Sequence, residues 1–512
     1  MAAPGYRARA RQACLTCKTR KKKCNRVLPS CNYCIEKDLD CHYIPASRGL
    51  NHTYPATNSS THTSTRCGLS TTEIDHGFAS SDMGLAGPVT TKAKLYRPLS
   101  ECLEGIYTEV RNIIRSTGQF VDDITTRYFR TFHHHLPIIS RTRFQNSLIA
   151  SVVGPSADSS VLLLSICLVT ALPTPELAPR NEETPAINRR SLYLATKALL
   201  AQVQGSLPAS VHLIQANLLV AVFEYGSGRL GAAYATIAGC ARMAYAAQIH
   251  DSSRWDENSS LQVEAEEARN TWWGIVIYER IFCCEVGAFQ QPLVTTLPSS
   301  DARLPIERDV LDRGDLLSAV FIPSILVSCQ TSAIIGGFGR TAQAACLLDQ
   351  VIRGVSIPDL DSRLILLQGL DGALQAFLAL ILPHCRGQTG ATCGAIATTV
   401  RGLYMLHWHI LDIPQQTVSA RFQSLEEWQK SSLAALDIIT KMIVDTVECH
   451  YVSTLPDMID TVSPNHIYTG RAAIKHMRTR PYSGGTPWLE SAEDTLQLHL
   501  NRICRRWDAV HD

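Results

Sequence analysis

Six cysteines near the start of the chain have the residue type and spacing of metal ligands. The pattern C-x2-C-x6-C occurs twice, first at Cys14, Cys17 and Cys24 and then at Cys31, Cys34 and Cys41. A C-x2-C pair places two thiolates on one turn of backbone, where a tetrahedral zinc ion can bind both. Two zinc ions need eight thiolate contacts, so six sulfurs suffice only if two of them bridge both ions. By the symmetry of the repeat, the natural bridges are Cys14 and Cys31.

The two halves of this repeat differ in charge. The residues between Cys17 and Cys24 read KTRKKK, whereas those between Cys34 and Cys41 read IEKDLD. Part of the basic charge offsets the thiolates, and the remainder suits DNA phosphates and base edges. The candidate DNA-binding residues are Lys18, Arg20, Lys21, Lys22 and Lys23.

Two other uses of clustered cysteines fit the sequence less well. A disulfide framework needs an oxidising compartment, and we expect no signal peptide because no apolar segment precedes Cys14. A RING- or LIM-type zinc module would have eight ligands in alternating pairs, and no further pairs follow at that spacing. The sequence therefore favours a zinc cluster that binds DNA.

Residues 13–24 and 28–34 resemble the fungal binuclear zinc-cluster transcription factors, including the loop proline Pro29. The resemblance implies two zinc ions and a short helix after each C-x2-C pair. It also implies that the first helix enters the major groove of double-stranded DNA and reads a CGG-type triplet. A protein of this kind would regulate RNA polymerase II genes in the nucleus and contact the transcription machinery.

The resemblance also assigns roles to the basic residues. Lys21 matches the family's base-reading lysine, and lysine suits the O6/N7 edge of guanine. Lys18, Arg20 and Lys23 match positions that mostly hold phosphates. Lys18 and Thr19 stand where the family often has arginine and another residue, which leaves the charge pattern intact.

Charge is distributed unevenly along the 512 residues. The first 41 contain ten Lys or Arg and three Asp or Glu, whereas the remainder contains 38 and 43, so the basic footprint lies at the N-terminus. We expect no apolar run of membrane length and no membrane partner, and the other cysteines are scattered as reduced thiols are. The predicted regions are a zinc cluster at 1–45, a disordered, flexible Ser/Thr-rich linker at 46–95 and a large all-α regulatory domain at 96–512.

Apolar residues beyond the linker recur with helical period, and strand-type alternation is scarce, which predicts a mostly α protein. The predicted helices are 191–204, 211–223, 231–247, 264–282, 316–334, 342–352, 362–382, 398–411, 425–450, 467–477 and 490–508. Residues 128–139, 267–280 and 292–305 resemble the fungal middle homology regulatory domain, over roughly residues 125–310.

A 4-3-4-3 apolar seam precedes this domain, at Leu99, Leu103, Ile106, Val110 and Ile113. It covers only about two heptads, so the sequence favours the first amphipathic helix of the body over a coiled coil. One cluster reads about three base pairs, and relatives commonly pair two clusters. Homodimerisation through the body and monomeric binding both stay open, with the first favoured.

Other motifs have simpler structural interpretations. Residues 337–342 mimic a dinucleotide-binding fingerprint, but no parallel strands are predicted around them. Histidines 133–135 would point about 100° apart on a helix and would not converge on one metal. We find no catalytic constellation and expect no enzyme.

Two classes of function remain. The basic asymmetry of the cluster favours a sequence-specific transcription factor over an interaction scaffold whose cluster only supports partner binding. Control of a biosynthetic gene cluster rests on family association alone, and the choice between activator and repressor stays open.

Overall fold

The computed structural model describes residues 12–14, 17–18, 22–27, 30–37, 41, 103, 105–149, 154–172, 187–251, 262–312, 325–329, 335–383, 392–414, 425–453, 460–480 and 487–507. The chain divides into two compact units, Met1–Thr90 and Thr91–Asp512. The described residues are predominantly helical, which confirms the predicted fold class. The linker predicted at 46–95 lies outside the described residues.

The first unit has one named helix, α1 (Asn32–Glu36). Its cluster of buried residues consists of Cys14, Cys17, Cys31 and Cys34. The side chains of Cys24, Cys41 and Tyr33 are partly buried against these four cysteines. No aliphatic side chain belongs to this cluster within the described part of the unit. Apolar burial therefore contributes little to its stability.

The second unit contains fifteen described α-helices and one short 3-10 helix, Phe132–His134. The α-helices are α2 (Ile106–Ser116), α3 (Val121–Arg130), α4 (Arg141–Ile149), α5 (Ala157–Thr170), α6 (Arg189–Ser206), α7 (Val211–Gly226), α8 (Leu230–Ala246), α9 (Gln262–Val286), α10 (Arg308–Asp312), α11 (Gly337–Val355), α12 (Leu360–Ile381), α13 (Cys393–Leu411), α14 (Leu425–Ser453), α15 (His466–Thr479) and α16 (Pro487–Trp507).

Helices α5 and α7 form the centre of the first half of this body. Both are apolar on nearly every face, and such a helix must be buried on all sides. Helix α7 packs against α5, α8 and α9, and α9 also contacts α11. In the second half, α13 packs against α11, α12, α14 and α15. The body thus has one continuous apolar core from α2 to α16.

The apolar seam predicted before the domain belongs to this core. Ile106, Val110 and Ile114 of α2 are buried, and α2 packs against α5. Leu103 and Ile113 are partly buried against the same core, and Leu99 lies outside the described residues. The seam is therefore explained by the first helix of the body, as the sequence favoured.

The helix predicted at 316–334 is wrong for its described part, residues 325–329. Leu326 forms an isolated antiparallel bridge with Arg303, and the Leu304 amide donates to the Ile325 carbonyl at 2.8 Å. The Gln343 side chain donates to the Val327 carbonyl at 3.1 Å. These hydrogen bonds fix the segment in an extended and turned form that helical periodicity did not indicate.

Within the described ranges, one helix, α12, is long and apolar enough to cross a membrane by length and composition alone. No apolar run of this length was expected from the sequence. Leu364, Leu367 and Leu374 on one face of α12 are buried in the core of the body. A core helix of a globular domain passes the same test of length and composition.

Candidate metal centre and nucleic-acid interface

The two cysteine repeats have matching local backbone structure. The Lys18 amide donates to the Cys14 carbonyl at 3.0 Å, and the Ile35 amide donates to the Cys31 carbonyl at the same distance. Each hydrogen bond closes one helical turn across a C-x2-C pair. The turn brings the two sulfurs of each pair to the same side of the backbone.

The six sulfurs form two groups of four, and all ligand atoms of a group lie within 4.8 Å of one another. The groups are Cys14, Cys17, Cys24 and Cys31, and then Cys14, Cys31, Cys34 and Cys41. Cys14 and Cys31 are common to both groups, as the sequence symmetry predicted for bridging thiolates. Six sulfurs thereby offer eight ligand positions.

The sulfur separations fit tetrahedral zinc. Zn–S bonds of about 2.3 Å place two sulfurs of a tetrahedron about 3.8 Å apart. The Cys14 sulfur lies 3.7 Å from the Cys31 sulfur and 3.7 Å from the Cys34 sulfur, and the Cys17 and Cys31 sulfurs are 3.5 Å apart. A disulfide would need about 2.05 Å, and all six cysteines are free thiols.

The thiols of Cys17 and Cys34 resist ionisation unless a cation is present. Burial, with hydrogen bonds to neighbouring cysteines, raises the pKa of Cys34 to about 12, and burial likewise raises the pKa of Cys17. A bound divalent ion reverses this preference because a coordinating thiol is deprotonated outright. The donor set therefore suits soft, thiolate-preferring cations such as zinc.

The described basic residues of the first half face solvent. Lys18, Lys22 and Lys23 are exposed, and the Lys22 amide donates to the Cys17 carbonyl at 2.9 Å. Arg20 and Lys21 lie outside the described residues. In the second half, Ile35 is 62% exposed at the position that repeats Lys18. The two halves thus share a backbone turn but differ at the residue after the C-x2-C pair, which is an exposed lysine in the first half and an exposed isoleucine in the second.

Sequence reasoning missed Asn25, which joins the two halves. Its side-chain oxygen accepts a hydrogen bond from the Asn32 amide at 3.1 Å, at the start of α1. Arg26 follows with φ of 61°, a left-handed backbone conformation typical of a tight turn. The polar residues after Cys24 were the available signal, although an asparagine beside a turn is common in loops.

The body motif on α9 has a structural role in the described residues. The Asn270 side chain donates to the Pro137 carbonyl at 2.7 Å and to the Ile306 carbonyl at 2.9 Å, and its oxygen accepts the Ile306 amide. The Trp273 indole donates to the Arg303 carbonyl at 3.0 Å. Both residues therefore fasten the segments on either side of α9 to this helix.

A buried ionic network extends the same helix toward α11. Arg280 donates to Asp349 at 3.1 Å and contacts Glu279 at 3.3 Å, and all three side chains are at most 2% exposed. Glu279 accepts the backbone amides of Val294 and Thr295. The network joins α9, α11 and the loop after α9 through charge-assisted hydrogen bonds.

The glycine motif at 337–342 has a structural role at the start of a helix. It forms the first turn of α11, whose Gly339 amide donates to the Glu307 carboxylate at 3.0 Å. A Cβ at Gly336 would clash with the same carboxylate, which explains the glycine. The helix N-terminus, where a phosphate would bind, is thus already paired with an anion of this chain.

The three consecutive histidines contact different partners. The His133 Nε2 atom lies 3.3 Å from Asp312, and the His134 ring lies against Arg308 at 2.6 Å. His135 packs on Phe132 with ring centroids 4.4 Å apart. Their rings therefore face three different environments within the described residues.

These features define a protein with an N-terminal six-thiol, two-metal cluster and a helical body. The model of the fungal Zn(2)-Cys(6) binuclear cluster domain matches residues 12–50, and that of the fungal specific transcription factor domain matches residues 125–326. Transcription factor BOA15 of Botryotinia fuckeliana is 35% identical over 150 residues, which span 29% of this chain and 78% of that protein.

An uncharacterized transcriptional regulatory protein of Schizosaccharomyces pombe is 45% identical over 49 residues, 10% of this chain and 8% of that protein. No solved structure matches. The chain belongs to the fungal Zn(2)-Cys(6) transcription factors and is a DNA-binding transcription regulator that binds two zinc ions.

Proposed function

We propose that the zinc cluster recognises CGG-type triplets in the major groove of double-stranded DNA. Lys21 contacts guanine. Contacts to phosphates, mainly from Lys18, Arg20, Lys22 and Lys23, fix the position of the cluster on the duplex. The observation that carries this proposal is the basic run between Cys17 and Cys24, next to sulfurs arranged in two groups of four.

Electrophoretic mobility shift of the full chain on CGG-containing and scrambled duplexes tests the triplet. A sequence-specific factor binds the first duplex several powers of ten more tightly than the second at physiological salt. Equal affinities would favour the scaffold hypothesis, in which the cluster makes only weak DNA contacts.

All six cysteines are the zinc ligands in this proposal, with Cys14 and Cys31 bridging both ions. The shared membership of these two sulfurs in both groups of four supports the assignment. Zinc supplies the positive charge that keeps the thiolates ionised, and the chain's own turns orient the basic run relative to the sulfurs.

We further propose that the chain acts in the nucleus on RNA polymerase II genes, including those of a biosynthetic gene cluster, and contacts the transcription machinery. Family membership supports nuclear action, and the gene cluster rests on association within the family. Sequencing of the DNA bound by the full chain in its own nucleus tests both. Binding sites scattered without regard to biosynthetic genes would remove the gene-cluster part.

The proposed regions are the cluster at 1–45, the flexible linker at 46–95 and the regulatory domain at 96–512, with homodimerisation through the body. Burial of Ile106 and Val110 in the core removes the coiled-coil candidate and favours another surface of the body. A flexible linker of about fifty residues spans roughly 40 Å, so half-site spacing would be loosely fixed.

The spacing of two triplets tests the linker and the dimer together. The gap is varied from zero to about twenty base pairs, and the affinity of the full chain is measured. A second triplet adds effective concentration, so a broad tolerance with higher affinity than one triplet is expected. A sharp optimum would contradict the flexible linker, and no gain from the second triplet would contradict the dimer.

A further inference from the structure

The helical body contains a large cleft lined by residues of this unit alone. It has a volume of about 1050 Å³ and is formed by the C-terminal ends of α9, α11 and α13, the start of α12 and one face of α15. Ligand pockets for small molecules usually have volumes of about 300–1,000 Å³. Phe289, Met405 and Trp408 supply apolar and aromatic wall.

Three cations line the cleft without a carboxylate partner. They are Arg363, Arg471 and Lys475. Among the described residues, no carboxylate lies within 4.0 Å of these side chains, although nearby Arg478 pairs with Glu493 at 2.7 Å. Arg363 keeps a buried Nε atom without a hydrogen-bond partner in the same part of the chain.

The placement of two of these cations opposes helix stability. Arg471 and Lys475 are one turn apart on α15, and like charges at this spacing repel each other. The Lys475 ammonium group lies 4.5 Å from the centre of the Trp408 ring. This cation–π contact holds the charge against the aromatic side of the cleft. An anion held between them would relieve the repulsion.

The two acidic residues of the cleft do not neutralise this wall. Glu285 is engaged by Arg401 at 2.8 Å and by the Tyr225 hydroxyl at 2.9 Å. Arg401 is fully buried, so its ion pair with Glu285 is neutral as a whole and leaves the charge of the three cations uncompensated. Asp412 is exposed at the end of α13 and makes no ion pair within the described residues.

We propose that this cleft binds a small organic anion with an apolar or aromatic body. The acidic group, a carboxylate, sulfonate or phosphate, bonds to Arg471 and Lys475, and Arg363 completes the cationic wall. The apolar body packs on Trp408, Phe289 and Met405. The site is independent of DNA recognition and gives the regulatory domain a means of sensing a metabolite of this chemical class.

The test uses two fluorescent probes that differ in charge. 1-Anilinonaphthalene-8-sulfonate carries an anionic group on an aromatic body, and N-phenyl-1-naphthylamine has a similar body without the charge. Binding of each to the full chain is measured by fluorescence titration for wild type and for Arg471→Ala/Lys475→Ala. The matched control is Arg115→Ala/Lys430→Ala, which removes one exposed arginine and one exposed lysine outside the cleft.

We expect the cleft variant to bind the sulfonate at least about tenfold more weakly, since hydrogen bonds to charged groups contribute strongly to affinity. Its affinity for the uncharged probe stays within about twofold, and the control matches wild type for both probes. Competition by aliphatic and aromatic carboxylates or phosphates then separates the possible acidic groups.

An unchanged sulfonate affinity in the cleft variant would overturn the proposal, as would an equal loss for both probes. Arg471 and Lys475 are exposed, so the variant should fold, and its thermal midpoint checks this. If the midpoint falls, Arg471→Gln/Lys475→Gln repeats the titration with longer polar side chains. Failure of this site would leave the triplet proposal untouched, because DNA binding is measured separately.

Discussion

The zinc cluster and the helical body bury different kinds of atoms. The fully buried side chains of the cluster are cysteines, whereas the body buries the aliphatic faces of α5, α7 and α13. Metal–thiolate bonds must therefore stabilise the first unit, and apolar burial stabilises the second. From this difference we expect that each unit can be unfolded by a treatment that leaves the other folded.

Zinc removal should produce the largest difference between the units. Structural zinc supplies roughly 10–16 kcal/mol of apparent binding free energy in small modules. A strong chelator should abolish specific DNA binding by the full chain, while circular dichroism of the helices and the thermal midpoint of the body stay nearly constant. A midpoint that falls with zinc content would show that the units depend on each other.

Single cysteine substitutions test which sulfurs of the cluster are shared by both zinc ions. Cys14→Ser removes a sulfur shared by both groups and should lower the zinc content of the full chain from two ions toward none. Cys17→Ser removes a sulfur of one group and should leave about one ion. Metal analysis measures both, with Cys329→Ser in the body as the matched control. Equal losses for Cys14→Ser and Cys17→Ser would contradict bridging.

Removal of a buried charge from the body should destabilise the body and leave the zinc cluster unchanged. Arg280→Met leaves Glu279 buried without a cation and leaves Asp349 with only the exposed Arg353, which should lower the free energy of unfolding of the body by about 3–5 kcal/mol. Lys430→Met removes an exposed ion pair that solvent screens, and it should leave the free energy of unfolding nearly unchanged. Chemical denaturation measures both variants.

Zinc content should not change in either variant. Loss of zinc from Arg280→Met under native conditions would break the proposed independence of the two units. A cost for Arg280→Met no larger than that for Lys430→Met would show that the ionic network does not stabilise the body.

Acidification should affect the body through His135. Burial, with nearby His134, lowers its pKa to about 3, below the ordinary value near 6.5. Between these values the unfolded chain binds a proton that the folded chain does not, so stability falls as pH drops below 6.5. At pH 5 this loss is about 2 kcal/mol.

Replacing His135 with phenylalanine should weaken that pH dependence. The ring packs on Phe132, and neither ring nitrogen makes a hydrogen bond among the described residues. His135→Phe should therefore lose less stability between pH 7 and pH 5 than wild type, as measured by denaturant unfolding. An identical loss would assign the acid sensitivity to other groups.

The zinc cluster could be predicted from sequence because its ligands are close together along the chain. The 17-residue repeat places Cys14 and Cys31 in equivalent positions, and the sulfurs in the structure are grouped accordingly. Most helices of the body from α6 onward were likewise predicted from local apolar periodicity, whereas α3, α4 and α5 were not. Arg20 and Lys21, however, lie outside the described residues, so their DNA contacts stay predictions.

Features formed by residues far apart in the chain could not be predicted from the sequence. Residues 325–329 have helical periodicity nearby but are extended, because Gln343 and residues 302–304 supply their hydrogen bonds. The cleft combines Phe289, Trp408 and Lys475 from three separate parts of the chain. Neither arrangement has a signal in a local window, since both depend on how the helices pack.

The central claim is that the basic half of the cluster reads the DNA sequence, and substitution of two nearby lysines tests it most directly. The affinities of full-length wild type, Lys21→Ala and Lys23→Ala are measured on cognate and scrambled duplexes at several salt concentrations. Lys37→Ala, on the exposed surface of the second half, is the matched control and should resemble wild type.

Lys21→Ala should cost about 1–3 kcal/mol on the cognate duplex and flatten discrimination against a mutated triplet. Lys23→Ala should weaken both duplexes alike and make the salt dependence shallower by about one unit. If Lys21→Ala instead weakens cognate and scrambled DNA equally, Lys21 holds phosphate and the account of base reading is wrong.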